Sequence, residues 1–155
     1  MNEQNDHAGV RIPPPVLMLI HLVAAFALNG LLRIPESIPQ VVRWAGYLLV
    51  ATALTLAFSA VNQFRAANTT LDPHGSVGAI ITSGPYRFSR NPIYLGFLLL
   101  VIGLPLIFGN VWGLLISPVQ IIPFYFLIIR HEEEYLARKF GDAYLSYKSG
   151  VRRWL

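Results

Sequence analysis

The chain has no cysteine among its 155 residues, so disulfides and thiolate metal sites are excluded and the redox compartment leaves no trace in it. Charge is scarce as well. Only 13% of residues are Asp, Glu, Lys or Arg, against about 25% in soluble domains. The four histidines are dispersed with no metal-ligand spacing, so no metal site is expected. There is no Gly-x-Gly-x-x-Gly and no phosphate-binding Walker loop, which removes the common soluble nucleotide-binding folds. No internal repeat or low-complexity tract is apparent.

What is present is apolar. Hydrophobic residues make up 54% of the chain and the mean hydropathy is +0.51. An all-α integral membrane protein with about four transmembrane helices follows, because a bilayer admits only helices or closed barrels. The net charge of +4 marks a membrane face rather than a nucleic-acid partner in so apolar a chain. The first eleven residues include Glu3 and Asp6. They do not make the positive start of a cleaved leader, so the first apolar segment is expected to remain.

The first span is expected over 15–32, interrupted by His21 and Asn29, whose spacing suits hydrogen bonds to a neighbouring helix. Arg33 ends it. The second covers 44–61, flanked by Arg43 and Arg65, with Pro35 and Pro39 punctuating the connection. Pro92 to Ile129 is 38 residues without a charge. As one helix it would reach roughly 57 Å, nearly twice the ~30 Å of hydrocarbon. It must fold back, and Gly109-Asn110 is the best turn. The third and fourth spans are then 92–108 and 111–129, with Pro105, Pro118 and Pro123 expected to kink them.

Between the second and third spans lies a polar loop, 62–91, too long for a simple turn. It carries Asp72-Pro73-His74-Gly75 and a short apolar patch, 77–81, expected to be partly ordered on the membrane surface. After Ile129 the chain becomes polar and helical to Phe140, with Gly141 as the C-cap and Asp142 as the cap of a last short helix. Arg152, Arg153 and Trp154 form a basic ending with an aromatic anchor. Four spans place residues 1–14, the 62–91 loop and the last segment on one side. That side holds ten of the twelve basic residues, and only Arg33 and Arg43 lie opposite. Both termini are therefore expected in the cytoplasm, with a bacterial inner membrane as the setting.

Two polar clusters bracket the long apolar run and meet on one membrane face when it folds back. The first is Gly84-Pro85-Tyr86-Arg87-Phe88-Ser89-Arg90-Asn91-Pro92-Ile93-Tyr94-Leu95-Gly96. Pro92 suits the first turn of a helix. Gly96 permits close approach of a ligand or another backbone. Headgroup anchoring is the ordinary alternative for such arginines and tyrosines. The second cluster is Arg130-His131-Glu132-Glu133-Glu134. Adjacent helical residues point about 100° apart, so Glu132 and Glu133 do not form one carboxylate pair. Glu134 and Arg138 are spaced for a surface ion pair, and Arg90 and Arg130 are candidate partners for the other acids. A solvated helix start is the ordinary alternative here.

Arg90-Asn91-Pro92-Ile93-Tyr94-Leu95-Gly96, then Glu132-Glu133-Glu134-Tyr135-Leu136, then Phe140-Gly141 with Tyr144 and Tyr147 resemble the isoprenylcysteine carboxyl methyltransferase and phospholipid methyltransferase group of membrane enzymes. The resemblance covers roughly residues 65–155. Asn91 stands where the family pattern Arg-His-Pro-x-Tyr-x-Gly has histidine; it hydrogen-bonds but is no base near neutral pH. The resemblance implies one membrane domain over 1–155 with S-adenosylmethionine enclosed by segments 84–96 and 130–147. Tyr86, Arg90, Asn91, Pro92, Tyr94, Gly96, Glu132 and Glu133 are the implied cofactor contacts. Glu132, Glu133 and Arg130 are the implied catalytic positions. It also implies a hydrophobic or membrane-embedded methyl acceptor: an isoprenylcysteine-like carboxylate, a phospholipid amine or a small thiol. The partners implied are membrane lipids and a hydrophobic or lipidated acceptor, with no nucleic acid. The competing reading is a non-catalytic membrane scaffold or lipid-binding subunit of the same fold. A transporter is disfavoured, because His21 alone is ionisable near the membrane centre.

Overall fold

The computed structural model describes residues 7–32, 34, 38–69 and 77–155. Arg33, Pro35 and the loop residues Asp72-Pro73-His74-Gly75 lie outside the described residues. Four apolar helices form the bundle: α1 (Pro14–Leu31), α2 (Gln40–Ala66), α3 (Pro92–Ile107) and α4 (Trp112–Phe124). A π-helical turn, Tyr125–Ile129, carries α4 directly into α5 (Arg130–Phe140), and α6 (Asp142–Gly150) follows. No strand occurs among the described residues. α1, α2 and the continuous Trp112–Phe140 helix are long and apolar enough to cross a membrane; α3 is a shorter apolar helix of 16 residues. The protein is an all-α membrane protein.

α2 is longer than its apolar core suggests, with 27 residues. At 1.5 Å per residue that is roughly 40 Å, more than the ~30 Å of hydrocarbon requires. α2 and α3 make the most extensive helix contact. Its cause is a line of small residues. A Cβ on Gly46 would stand 2.9 Å from the Gly103 carbonyl oxygen, and one on Gly103 would stand 2.9 Å from that of Gly46. Gly96 meets the Ala53 carbonyl at 3.2 Å in the same way. Without a hydrophobic force between helices in lipid, such close backbone approach is the main source of packing energy.

The turn between α3 and α4 is built on Gly109, at φ +76°. Asn110 Oδ1 accepts from the Trp112 N–H at 2.9 Å, and its Nδ2 donates to the Ala25 carbonyl of α1 at 3.0 Å. Trp112 Nε1 makes a second polar bond to the end of α1, donating to the Leu32 carbonyl at 3.0 Å. His21 is instead bonded within its own helix, its Nδ1 lying 2.8 Å from the Leu17 carbonyl oxygen. Pro118 and Pro123 sit inside α4, just before the π turn. Gly141 closes α5 at φ +52° and also stands at the cap position of α6. Asp142 is therefore the first residue of α6 and makes no side-chain cap bond. Trp154 packs, partly buried, against the core cluster of Leu17, Phe124, Ile128, Ile129 and Tyr135. Ala8 and Val10 join the same cluster. The segment before α1, residues 77–91, α5 and the last residues consequently gather at one end of the bundle.

Candidate functional site

At that end lies a cavity of about 670 Å³, within the ~300–1,000 Å³ usual for small-molecule sites. Each wall has a local cause. The overlong end of α2 supplies Val61 and Phe64. Ser83 donates to Gln63 at 2.5 Å, tying the following 3-10 turn, Gly84–Arg87, to that helix. Tyr86 is thereby buried edge-on against Phe64, with ring centroids 5.7 Å apart. Residues 77–81 form another wall: the Val77 N–H donates to the Tyr135 hydroxyl at 3.2 Å, and Val77, Ala79, Ile80 and Ile81 face the cavity. Pro13, Pro14 and Pro15 close it from α1.

The polar lining centres on Glu133. Its carboxylate oxygens meet Arg90 Nη1 at 3.0 Å, Arg153 Nε at 2.8 Å and Nη2 at 3.1 Å, and Lys148 Nζ at 3.2 Å. Arg90 and Glu133 are nearly buried, with side chains 9% and 11% exposed. Arg90 Nη1 also lies 3.5 Å from the Tyr144 hydroxyl, while its Nε is buried with no protein partner. Glu132 is separate. It accepts from the Tyr94 hydroxyl at 2.5 Å, and Tyr94 stacks edge-on with Phe124. Both glutamates line the cavity, on different sides of α5's inner face.

Tyr147 donates from its hydroxyl to the Tyr86 carbonyl at 2.8 Å. Burial, and then the neighbouring Tyr144, push the Tyr147 phenol up to about 12. Burial raises Tyr144 as well, with the Glu133 charge adding to it. Burial raises Tyr86, followed by the Glu132 charge. All three therefore stay protonated near neutral pH and serve as hydrogen-bonding, apolar-faced walls. The Arg153 guanidinium is held above its ordinary value, chiefly by its hydrogen bond to Glu133.

The sequence-derived residues divide by position. Tyr86, Arg90, Asn91, Tyr94, Glu132 and Glu133 all line the cavity. Pro92 does not; it is buried as the first residue of α3. Gly96 does not either, because the backbone that approaches it is Ala53 of α2. Arg130 points away: its side chain is 58% exposed and bonded at 2.9 Å to Glu134. Glu134 thus pairs backwards with Arg130, where the sequence suggested Arg138. Two residues of the Glu133 cluster were not singled out from the sequence as site groups, Lys148 and above all Arg153; Tyr144 and Tyr147 of α6 fall within the implied segment 130–147 and line the cavity. The Arg153 signal was a cation in a tail that reads equally well as a membrane anchor. Asn91 Nδ2 donates to the Arg153 carbonyl at 3.0 Å, so the position where the family pattern has histidine holds the tail.

Residues 41–143 match the family model described as phospholipid methyltransferase. The chain is 33% identical over 72 residues to the protein-S-isoprenylcysteine O-methyltransferase of Schizosaccharomyces pombe. It is 35% identical over 79 residues to that of Saccharomyces cerevisiae. Each match covers 46% of this chain but only 30% of the relative. An uncharacterized protein of Haemophilus influenzae is 44% identical over 66 residues, its whole length and 41% of this chain. No solved structure matches. With the family model covering most of the chain, from α2 through α5, the protein belongs to the phospholipid methyltransferase family.

Proposed function

We propose that the protein is a membrane methyltransferase that moves a methyl group from S-adenosylmethionine to a hydrophobic or membrane-embedded acceptor. The observation that carries the reading is Arg90: a nearly buried guanidinium lining the cavity, with its Nε unpartnered. A buried donor without an acceptor is costly, about 1–3 kcal/mol or more for a charged group. The guanidinium as a whole lines the cavity, where an anionic group of a ligand would add a charge-assisted partner, and the cofactor has a carboxylate. The rest of the lining fits the same molecule. Glu132 can accept from ribose hydroxyls, and the Tyr94 face suits a sulfonium.

When bound, the cofactor supplies an activated methyl group; the protein supplies binding, orientation and dryness. Arg90 and the Glu133 cluster hold the polar end. Tyr86, Tyr94 and Phe97 wall off water. Holding the acceptor in line with the methyl group is the catalytic contribution, since displacement is sensitive to alignment. The apolar walls from α1, α2 and residues 77–81 accommodate an amphipathic acceptor, such as an isoprenylcysteine-like carboxylate, a phospholipid amine or a small lipophilic thiol. Glu132 is the candidate group beside the reacting atoms, with Glu133 as the anchor of the cationic cluster.

Calorimetry on the protein in nanodiscs tests the reading. S-adenosylmethionine and its demethylated product are expected to bind in the micromolar range, and labelled methyl donor is expected to mark a lipid-extractable product. Absence of binding up to millimolar ligand would leave a non-catalytic scaffold of the same fold.

A further inference from the structure

Glu133 faces more cations than it can neutralise. Arg90, Lys148 and Arg153 all lie within 3.2 Å of its two oxygens. The three come from different elements: the turn before α3, the end of α6, and the segment that follows α6. Arg153 is the best-matched partner, because its Nε and Nη2 each take one carboxylate oxygen at 2.8 and 3.1 Å. This two-bond fork is the strongest geometry available to an ion pair. It leaves Arg90 a single bond to Glu133, through an Nη1 that also meets the Tyr144 hydroxyl at 3.5 Å, with Nε unpartnered.

The backbone around Arg153 is equally committed. Its carbonyl accepts from Ser89 Oγ at 3.2 Å and Asn91 Nδ2 at 3.0 Å, and the Arg152 carbonyl accepts from the Arg90 N–H at 2.9 Å. The guanidinium lies over the Tyr125 ring, 4.7 Å from its centroid. Residues 152–153 are thus strapped across the segment that carries Arg90, while the Arg153 side chain reaches behind it to Glu133.

We propose that Arg153 is a positioning residue of the cofactor site: by engaging both oxygens of Glu133, it limits Arg90 to one bond with that carboxylate and leaves the rest of the Arg90 guanidinium available to an anionic group of the ligand. Arg153 itself does not line the cavity. The inference rests on the methyl-donor reading and adds to it a residue outside the recognised motifs. Without Arg153, the Glu133 carboxylate is expected to swing onto Arg90 and take its fork. The cost then falls on the anionic part of the ligand alone.

That selectivity is testable. S-adenosylhomocysteine carries the amino-acid tail with its carboxylate; 5′-methylthioadenosine is the same thioether nucleoside without it. Affinities for both are measured by calorimetry on the full chain in nanodiscs, for wild type, Arg153→Ala and Arg153→Lys. Arg153→Ala is expected to weaken S-adenosylhomocysteine by roughly tenfold or more, the scale of one charge-assisted bond, and to leave 5′-methylthioadenosine unchanged. Arg153→Lys keeps the charge but loses the fork, so it should fall between the other two; it also serves where the alanine variant does not elute as a monodisperse species. Equal affinity for S-adenosylhomocysteine in all three proteins would overturn the proposal. So would an equal loss for both ligands, which is what a merely structural role produces. Wild type binding neither ligand would bring down the methyl-donor reading itself, whereas binding that is indifferent to position 153 brings down only this one.

Discussion

Arg90 and Arg130 show how far a side chain's neighbours outweigh its place in a motif. Both arginines adjoin an apolar span, and both were candidates to pair with the acidic cluster. Arg90 is buried against Glu133; Arg130 lies on the outer face with Glu134. The energetics differ accordingly. Losing one partner of a buried pair costs about 3–5 kcal/mol, whereas an exposed pair contributes about 0–1 kcal/mol. Arg90→Ala is therefore expected to weaken S-adenosylhomocysteine binding by about ten- to a hundredfold, the equivalent of a charge-assisted bond, whereas Glu133→Gln, which removes the carboxylate that competes for Arg90, is expected not to weaken it. Glu134→Gln and Arg130→Ala are expected to bind like wild type. Calorimetry on the four variants, with monodisperse elution as the folding control, measures this. Wild-type affinity in Arg90→Ala would displace the proposed anion contact.

At the scale of elements, the α2–α3 contact and the π turn position the site. Gly46 and Gly103 face each other's carbonyls, so neither has room for a side chain. Gly103→Val is expected to push the two helices apart and cost about 1–3 kcal/mol, as overpacking does. A thermal midpoint several degrees below wild type in detergent would record it; an unchanged midpoint would show that the helices separate freely. The π turn has a different consequence. One extra residue in a helical turn rotates everything downstream by about 100°. Tyr125–Ile129 therefore sets which side of α5 faces the cavity, and so how Glu132 and Glu133 divide between Tyr94 and the cationic cluster.

For the molecule as a whole, all the cavity walls come from one end of the bundle, and that end carries most of the basic residues. Reporters placed before Pro13 and after Trp154 are expected to read the cytoplasm, and one next to Pro39 the opposite compartment. A reporter after Trp154 that reads the outside would separate the cavity from the cytosolic cofactor pool. The sequence by itself determined the all-α membrane class, the fold-back of the Pro92–Ile129 run and the meeting of its two flanking clusters. Each follows from a one-dimensional quantity: charge density, apolar length against bilayer thickness, and the even number of crossings. The motif segments that line the cavity were legible for the same reason, since a hairpin returns its two ends to one face. Only the tertiary structure decided that Gly96 serves helix packing, that Glu134 pairs with Arg130, and that Arg153 completes the cluster on Glu133. Those outcomes depend on helix rotation and on a contact spanning twenty residues, and hydropathy along a chain carries no record of either.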